Sequence, residues 1–301
     1  MPKSLNKFLK AMRVVVGLLP SHLPIELWLQ IFDHIDKHDL ISLTQVNPAL
    51  CGVAEAVLYH TVTLRWEVEV NKFLESTRSR PRRAGYVVSI TLVDIDKSDE
   101  HIHGVLPSLL NSLPHLQFLR VEEIPGEGIA CCTAISRARL PQLRTLVAGM
   151  RSSPSALLDF LAAHENLQEV DLRYTFVVDE PSSRPIEGTV SPAVRTLTCR
   201  TPFLNCRPPI PSNLTHLYRP SFLLPQLPLL ALHAGPQLVS LRLGSIFPLD
   251  RFRPWSLLDV VSRFPRLRFL QVDMIASHLG STQGSSTGTK SGHHGQTVTQ
   301  A

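Results

Sequence analysis

The feature that most constrains this chain is a six-residue pattern, apolar at its first, fourth and sixth places, that returns again and again along more than half the sequence. It reads Val87-Ile90-Leu92, Leu116-Leu119-Val121, Leu143-Leu146-Ala148, Leu167-Val170-Leu172, Val194-Leu197-Cys199, Leu214-Leu217, Leu238-Leu241-Leu243 and Leu267-Leu270-Val272. The starts lie 29, 27, 24, 27, 20, 24 and 29 residues apart, a period that belongs to repeat architectures rather than to a single globular core. One such unit cannot bury its apolar face alone, so neighbours must stack to make a shared interior.

Between the hexads lie runs with apolar residues at helical spacing: Val68 to Leu74, Val105 to Leu113, Ala156 to Ala163 and Leu257 to Phe264. The implied unit is strand, turn, helix, turn. It resembles the leucine-rich repeat, which implies an α/β solenoid of strand-helix units over residues 65–276. The array departs from that family's pattern where an Asn or Cys usually follows the hexad, since Ile124, Thr175 and Ile246 stand there, and Arg219 takes the third anchor place of the copy at Leu214.

Side chains alternate along a strand, so the residues between anchors belong to the opposite, concave surface. One row is Ser89, Phe118, Thr145, Glu169, Thr196, His216, Ser240 and Phe269; the next is Thr91, Arg120, Val147, Asp171, Thr198, Tyr218, Arg242 and Gln271. The candidate partner-binding residues are Phe118, Arg120, Glu169, Asp171, His216, Tyr218, Arg242 and Phe269. Aromatic rings and arginines dominate protein interfaces once desolvated, and a solvent-facing row has no folding need for them.

Ahead of the repeats, residues 21–64 read as three short helices. Pro24 suits a first helical turn and Glu26 complements the positive end of the dipole, which predicts a helix from Pro24 to Ile35. Leu27, Trp28, Ile31, Phe32 and Ile35 give it an apolar stripe wider than one neighbour requires. Asp39 can cap a second helix through Val46, and Asn47-Pro48 opens a third that reaches Tyr59.

Leu23-Pro24, Glu26-Leu27, Ile31-Phe32, Asp39-Leu40, Leu43 and Val46 stand in the order and spacing of the F-box motif, and Leu58 to Leu64 is similar to the extension common in fungal-type members. The resemblance implies that Leu23, Pro24, Glu26, Leu27, Ile31, Phe32, Leu40, Leu43 and Val46 bind the Skp-type linker of a cullin-based ubiquitin ligase. The repeats would then hold a protein substrate, making the chain a non-catalytic adaptor. The alternative is a repeat scaffold in which these helices merely cap the first repeat and recruit no ligase.

Motifs for chemistry are missing from the sequence. There is no HExxH, no GxSxG and no GxGxxG after a strand, and Gly284 to Ser291 has the wrong spacings for a phosphate-binding loop. No cofactor is expected, and His293-His294 and His101-x-His103 lack the Cys or carboxylate company of a metal site. Only 6% of residues are aromatic, so the formal charge of +5 and the basic run Arg78, Arg80, Arg82 and Arg83 do not make a nucleic-acid surface. That run reads as a solvated loop. Five cysteines without CxxC pairing fit a reducing compartment, cytoplasmic or nuclear. The basic stretch 1–20 is a leader too weakly apolar for a signal core, no segment has the apolar length of a membrane helix, and the Gly, Ser, Thr, Gln and His content of 277–301 predicts a disordered tail.

Overall fold

The computed structural model describes residues 24–46, 48–93, 100–122, 135, 137–149, 151–152, 154–172, 176–177, 192–199, 211–220, 222–223, 227–247, 261–274 and 295–299. Leu23, the leader, Cys131, Cys132, Cys206, Gly284 to Ser291 and His293-His294 lie outside the described residues.

Three helices come first: α1 (Ile25–Asp33), α2 (Lys37–Val46) and α3 (Pro48–His60). The carbonyl of Pro24 accepts from the amide of Leu27 at 3.1 Å and sets the first turn of α1. Helix α2 starts three residues earlier than a cap at Asp39 predicts, because the carbonyl of Asp36 accepts from the amides of Asp39 and Leu40 at 2.9 and 3.0 Å. Asp39 therefore sits inside the first turn, where its charge still favours the helix. Phe32, Leu40, Leu43, Leu50, Val53 and Ala54 form a small core shared by the three helices.

Helix α3 runs straight into β1 (Thr61–Arg65), which pairs in parallel with β2 (Ser89–Val93), Val62 beside Ile90 and Leu64 beside Leu92. Tyr59-Val62-Leu64 is thus one more copy of the hexad, 28 residues before Val87. A tyrosine in the first anchor place hid it, and the boundary drawn at residue 64 cuts through a strand of the sheet. Tyr59 and Val62 pack on the same core as the later anchors.

The remaining strands are β3 (Phe118–Glu122), β4 (Thr145–Gly149), β5 (Arg151–Ser152), β6 (Glu169–Leu172), β7 (Phe176–Val177), β8 (Thr196–Cys199), β9 (His216–Arg219), β10 (Phe222–Leu223), β11 (Ser240–Phe247), β12 (Phe269–Met274) and β13 (Gly295–Thr299). The main sheet runs β1-β2-β3-β4-β6-β8-β9-β11-β12, parallel throughout, so each hexad pairs with the next in chain order. Strands β5 and β7 form a separate pair, and β10 adds to β11. Helices α4 (Trp66–Ser79) and α5 (Arg82–Tyr86) lie between β1 and β2, α6 (Glu100–Asn111) before β3, α7 (Pro154–Ala163) before β6 and α8 (Leu227–Ala234) before β11. The first three predicted helical runs fall on α4, α6 and α7; most of the fourth, Leu257 to Phe264, lies outside the described residues.

The anchors and the inner faces of these helices fuse into one continuous core. Arg219, in an anchor place, is buried as well, and burial lowers the pKa of its guanidinium. Side-chain amides tie successive turns together. Asn166 donates to the carbonyl of Pro141 at 2.8 Å, Asn213 to that of Pro192 at 2.8 Å, and Gln237 to that of Pro211 at 2.7 Å. Each stands one residue before a hexad, whereas the family pattern has its Asn or Cys after it. Behind this ladder runs a second one in the backbone. The carbonyls of Gln117, Arg144, Gln168, Arg195, Thr215 and Val239 each accept two amide N–H groups from the start of the next strand.

The expectation of a disordered tail is corrected in part: residues 295–299 form β13, antiparallel to β12, with Thr299 beside Phe269 and Thr297 beside Gln271. An edge strand presents a row of open N–H and C=O groups, and the β-branched residues of Thr297-Val298-Thr299 suit the extended backbone that satisfies them.

Candidate functional site

On the helical module the structure separates residues that the linear motif places together. Leu27 and Ile31, one turn apart on α1, are 44% and 45% exposed. Pro24 and Glu26 are exposed beside them. Phe32, Leu40 and Leu43 are at most 2% exposed. These three hold the helices to one another in the small core. The side chain of Val46, at the end of α2, is not among the described ones. Leu29, at 37%, and Ile41, at 52%, are also uncovered apolar side chains and were missed. Ile41 lies between the buried Leu40 and Leu43, and an apolar residue off the core stripe was the available signal.

The basic run is not a solvated loop. Glu55 of α3 is 1% exposed, and three arginines from the end of α4 and the start of α5 converge on it. Arg80 Nη1 reaches Oε1 at 2.8 Å, Arg82 Nη2 reaches Oε2 at 2.7 Å, and Arg83 reaches Oε1 with Nη2 at 2.7 Å and Nε at 3.1 Å. Arg83 also donates to Ser76 Oγ at 2.6 Å and lies over the Tyr59 ring, 5.2 Å from its centroid. Burial pushes the Glu55 carboxyl up, but the hydrogen bonds from Arg83 and Arg80 outweigh it and hold the group below the usual carboxylate range. This cluster joins the helical module to the beginning of the sheet. Arg78 takes no part in it.

On the sheet, both face rows stand in the register that alternation predicts, Ser89 to Phe269 in one and Thr91 to Gln271 in the other. The candidate residues do not form one spot. Phe118 and Arg120 on β3 lie four strands from Tyr218 on β9, about 19 Å at the usual strand spacing. Arg120 is ion-paired with Glu122. Glu169, exposed, and Asp171, half-buried, sit on β6 between the two groups.

The densest group is at the β9 to β12 end. Arg242 lies over the Tyr218 ring at 4.5 Å and reaches Asp273 Oδ2 at 3.3 Å, while Gln271 donates to Asp273 Oδ1 at 3.1 Å. His216 is exposed, with Nδ1 2.8 Å from Thr215 Oγ1, and Phe269 is 53% exposed. Glu122 and Asp273 were missed because the two rows were ended one alternation too soon.

Among the described residues no group of His, Cys, Asp or Glu is placed to hold a metal ion. Burial pushes the Cys199 thiol up to about 12, which keeps it a neutral core group. His164 is buried and structural: its Nδ1 donates to the Phe160 carbonyl at 2.6 Å and its Nε2 accepts from the Leu140 amide at 3.1 Å. No described helix is long and apolar enough to cross a membrane.

Residues 20–65 match the model of the F-box-like family. No curated protein matches the chain. The chain thus carries an F-box-like domain over its three helices and β1. Domains of this kind typically bind Skp-type linkers, and the proteins that carry them are generally non-catalytic adaptors.

Proposed function

We propose that this chain is the substrate-recognition adaptor of an SCF-type ubiquitin ligase. The F-box-like helices bind the Skp-type linker, and the repeats form a leucine-rich-repeat-like solenoid whose exposed strand face holds a protein substrate. One observation carries the reading: the matched segment displays Leu27 and Ile31, one turn apart on α1 and both exposed, which its own core does not use. Large apolar side chains grouped on the surface of a module mark a protein contact. Catalysis is by proximity, the adaptor raising the concentration of a bound substrate near the ubiquitin-carrying enzyme, with no chemical group supplied by the chain. Free Cys51 and Cys199 accord with the cytoplasm or nucleus as its place of action.

Gel filtration of the full chain with a Skp-type linker tests this. A stable complex is expected, lost in the double variant Leu27→Asp, Ile31→Asp while circular dichroism stays native, because both side chains face water. A chain that never binds a linker returns the function to the alternative, a repeat scaffold whose helices serve as its first cap. The direct passage of α3 into β1 and the Glu55 cluster favour that second reading as an attachment, though they leave the apolar patch without a use.

A further inference from the structure

Resting on the reading of the strand face as the substrate surface, we propose that its β9 to β12 end binds a segment carrying a carboxylate side chain next to an apolar one. The site is a patch two rows deep and three strands wide. His216, Ser240 and Phe269 are in register in the first row, and Tyr218, Arg242 and Gln271 in the second. Ser240 is the small member of its row. By register it stands between His216 and Phe269, whose backbones are about 10 Å apart across two strand spacings, so its short side chain leaves a notch between their rings. One apolar side chain fills that width, and the half-exposed Phe269 ring supplies the surface that its burial would remove from water.

Arg242 adjoins the notch, two residues along β11 from Ser240. Its guanidinium is held on one face by Tyr218 and at one edge by Asp273, while its side chain remains 47% exposed. A planar fork fixed in this way has lost its rotamer freedom before a ligand arrives, and its outward N–H groups match a carboxylate in two-pronged fashion. The charge selects among anions. Asp273 already offsets part of the single guanidinium charge, and His216 is the other basic residue of the patch. A phosphate dianion calls for several converging cations; one compensated arginine suits a monoanion. The opposite end of the face lacks this arrangement, since Arg120 is paired with its own strand neighbour Glu122 and has Val147 beside it on β4.

The test uses the full chain bound to a Skp-type linker and a display library of random twelve-residue peptides. Enriched peptides are expected to share an Asp or Glu within a few residues of a large apolar residue. Arg242→Gln, Phe269→Ala and the notch-filling Ser240→Tyr should each weaken a selected peptide by about tenfold or more, the loss typical of an interface hot spot. Arg120→Gln should leave binding unchanged. A synthetic peptide with phosphoserine in place of the acidic residue should bind no tighter. Phosphopeptide binding more than about tenfold tighter, one unit of 1.4 kcal/mol, overturns the monoanion assignment. A library without binders, or binders indifferent to Arg242 and Phe269, overturns the site. Binders that depend on Phe118 and Arg120 instead also overturn it and leave the adaptor reading standing. Failure of the adaptor reading shows separately, as a preparation in which the linker does not co-purify.

Discussion

Replacing Glu55 by alanine should loosen the helical module from the sheet at a calculable cost. The carboxylate takes four hydrogen bonds, one each from Arg80 and Arg82 and two from Arg83. Arg80 and Arg82 have side chains 52% exposed, so water replaces Glu55 for them and they are left out of the sum. The Arg83 side chain is only 19% exposed. Its two charge-assisted bonds, at about 1.5 kcal/mol each, give a loss of about 3 kcal/mol, at the low edge of what removing one partner of a buried pair costs. Glu55→Gln keeps one acceptor and the shape, and should cost about half as much. Urea unfolding followed by hydrogen exchange of α1 to α3 measures both. In a double-mutant cycle, Arg83→Met should cost far less in the Glu55→Ala background than alone. A Glu55→Ala variant within about 0.5 kcal/mol of the parent, the ordinary range for a surface change, would refute the argument. The same carboxylate has a pH signature. Its folded pKa lies below the unfolded value, so its contribution is present above about pH 4.5 and lost as pH falls through that value toward the folded one.

Three further outcomes follow from particular contacts. Burial holds the pKa of His164 below its usual value, so the unfolded state takes up the proton first. Stability should fall as pH drops below about 6.5 toward the lower folded value, and the slope should vanish in His164→Asn, read by thermal melts across pH. Gly235 closes α8 where an added Cβ would meet the Arg263 carbonyl oxygen at 2.6 Å and that of Ala231 closer still. Both obstacles are backbone, so Gly235→Ala should lower stability by about 1–3 kcal/mol in urea unfolding. Deleting residues 295–301 should open the edge of β12 and raise self-association in light scattering; a truncated chain that stays monodisperse at high concentration would show that β13 does not guard that edge.

What could be read in advance followed periodicity. Every predicted hexad is a strand, and the face rows follow in register, because alternation is a local property that stacking preserves. What could not be read depends on separation. Glu55 precedes Arg80 by 25 residues, so a buried carboxylate inside a helix and a basic stretch gave no sign of each other until the chain folded. The linear motif likewise does not distinguish Leu40 and Leu43, which seal the helical core, from Ile41, which faces out. Tyr59 concealed a hexad because a tyrosine is an unusual anchor. It is suited here because its hydroxyl lies 2.7 Å from Ser76 Oγ, among the groups around Glu55.

The amides of Asn166, Asn213 and Gln237 grip the turn of the preceding unit just ahead of β6, β9 and β11. Strand register is therefore set at the entrance to a unit and owes nothing to the length of the arm that returns from its exit. Unit lengths can range from 20 to 29 residues while the strands stay aligned. A chain built this way can gain or lose residues in its arms through evolution, or accept an engineered insertion there, without shifting the strand-face residues by a single step. The strand face and the loops around it are free to change independently.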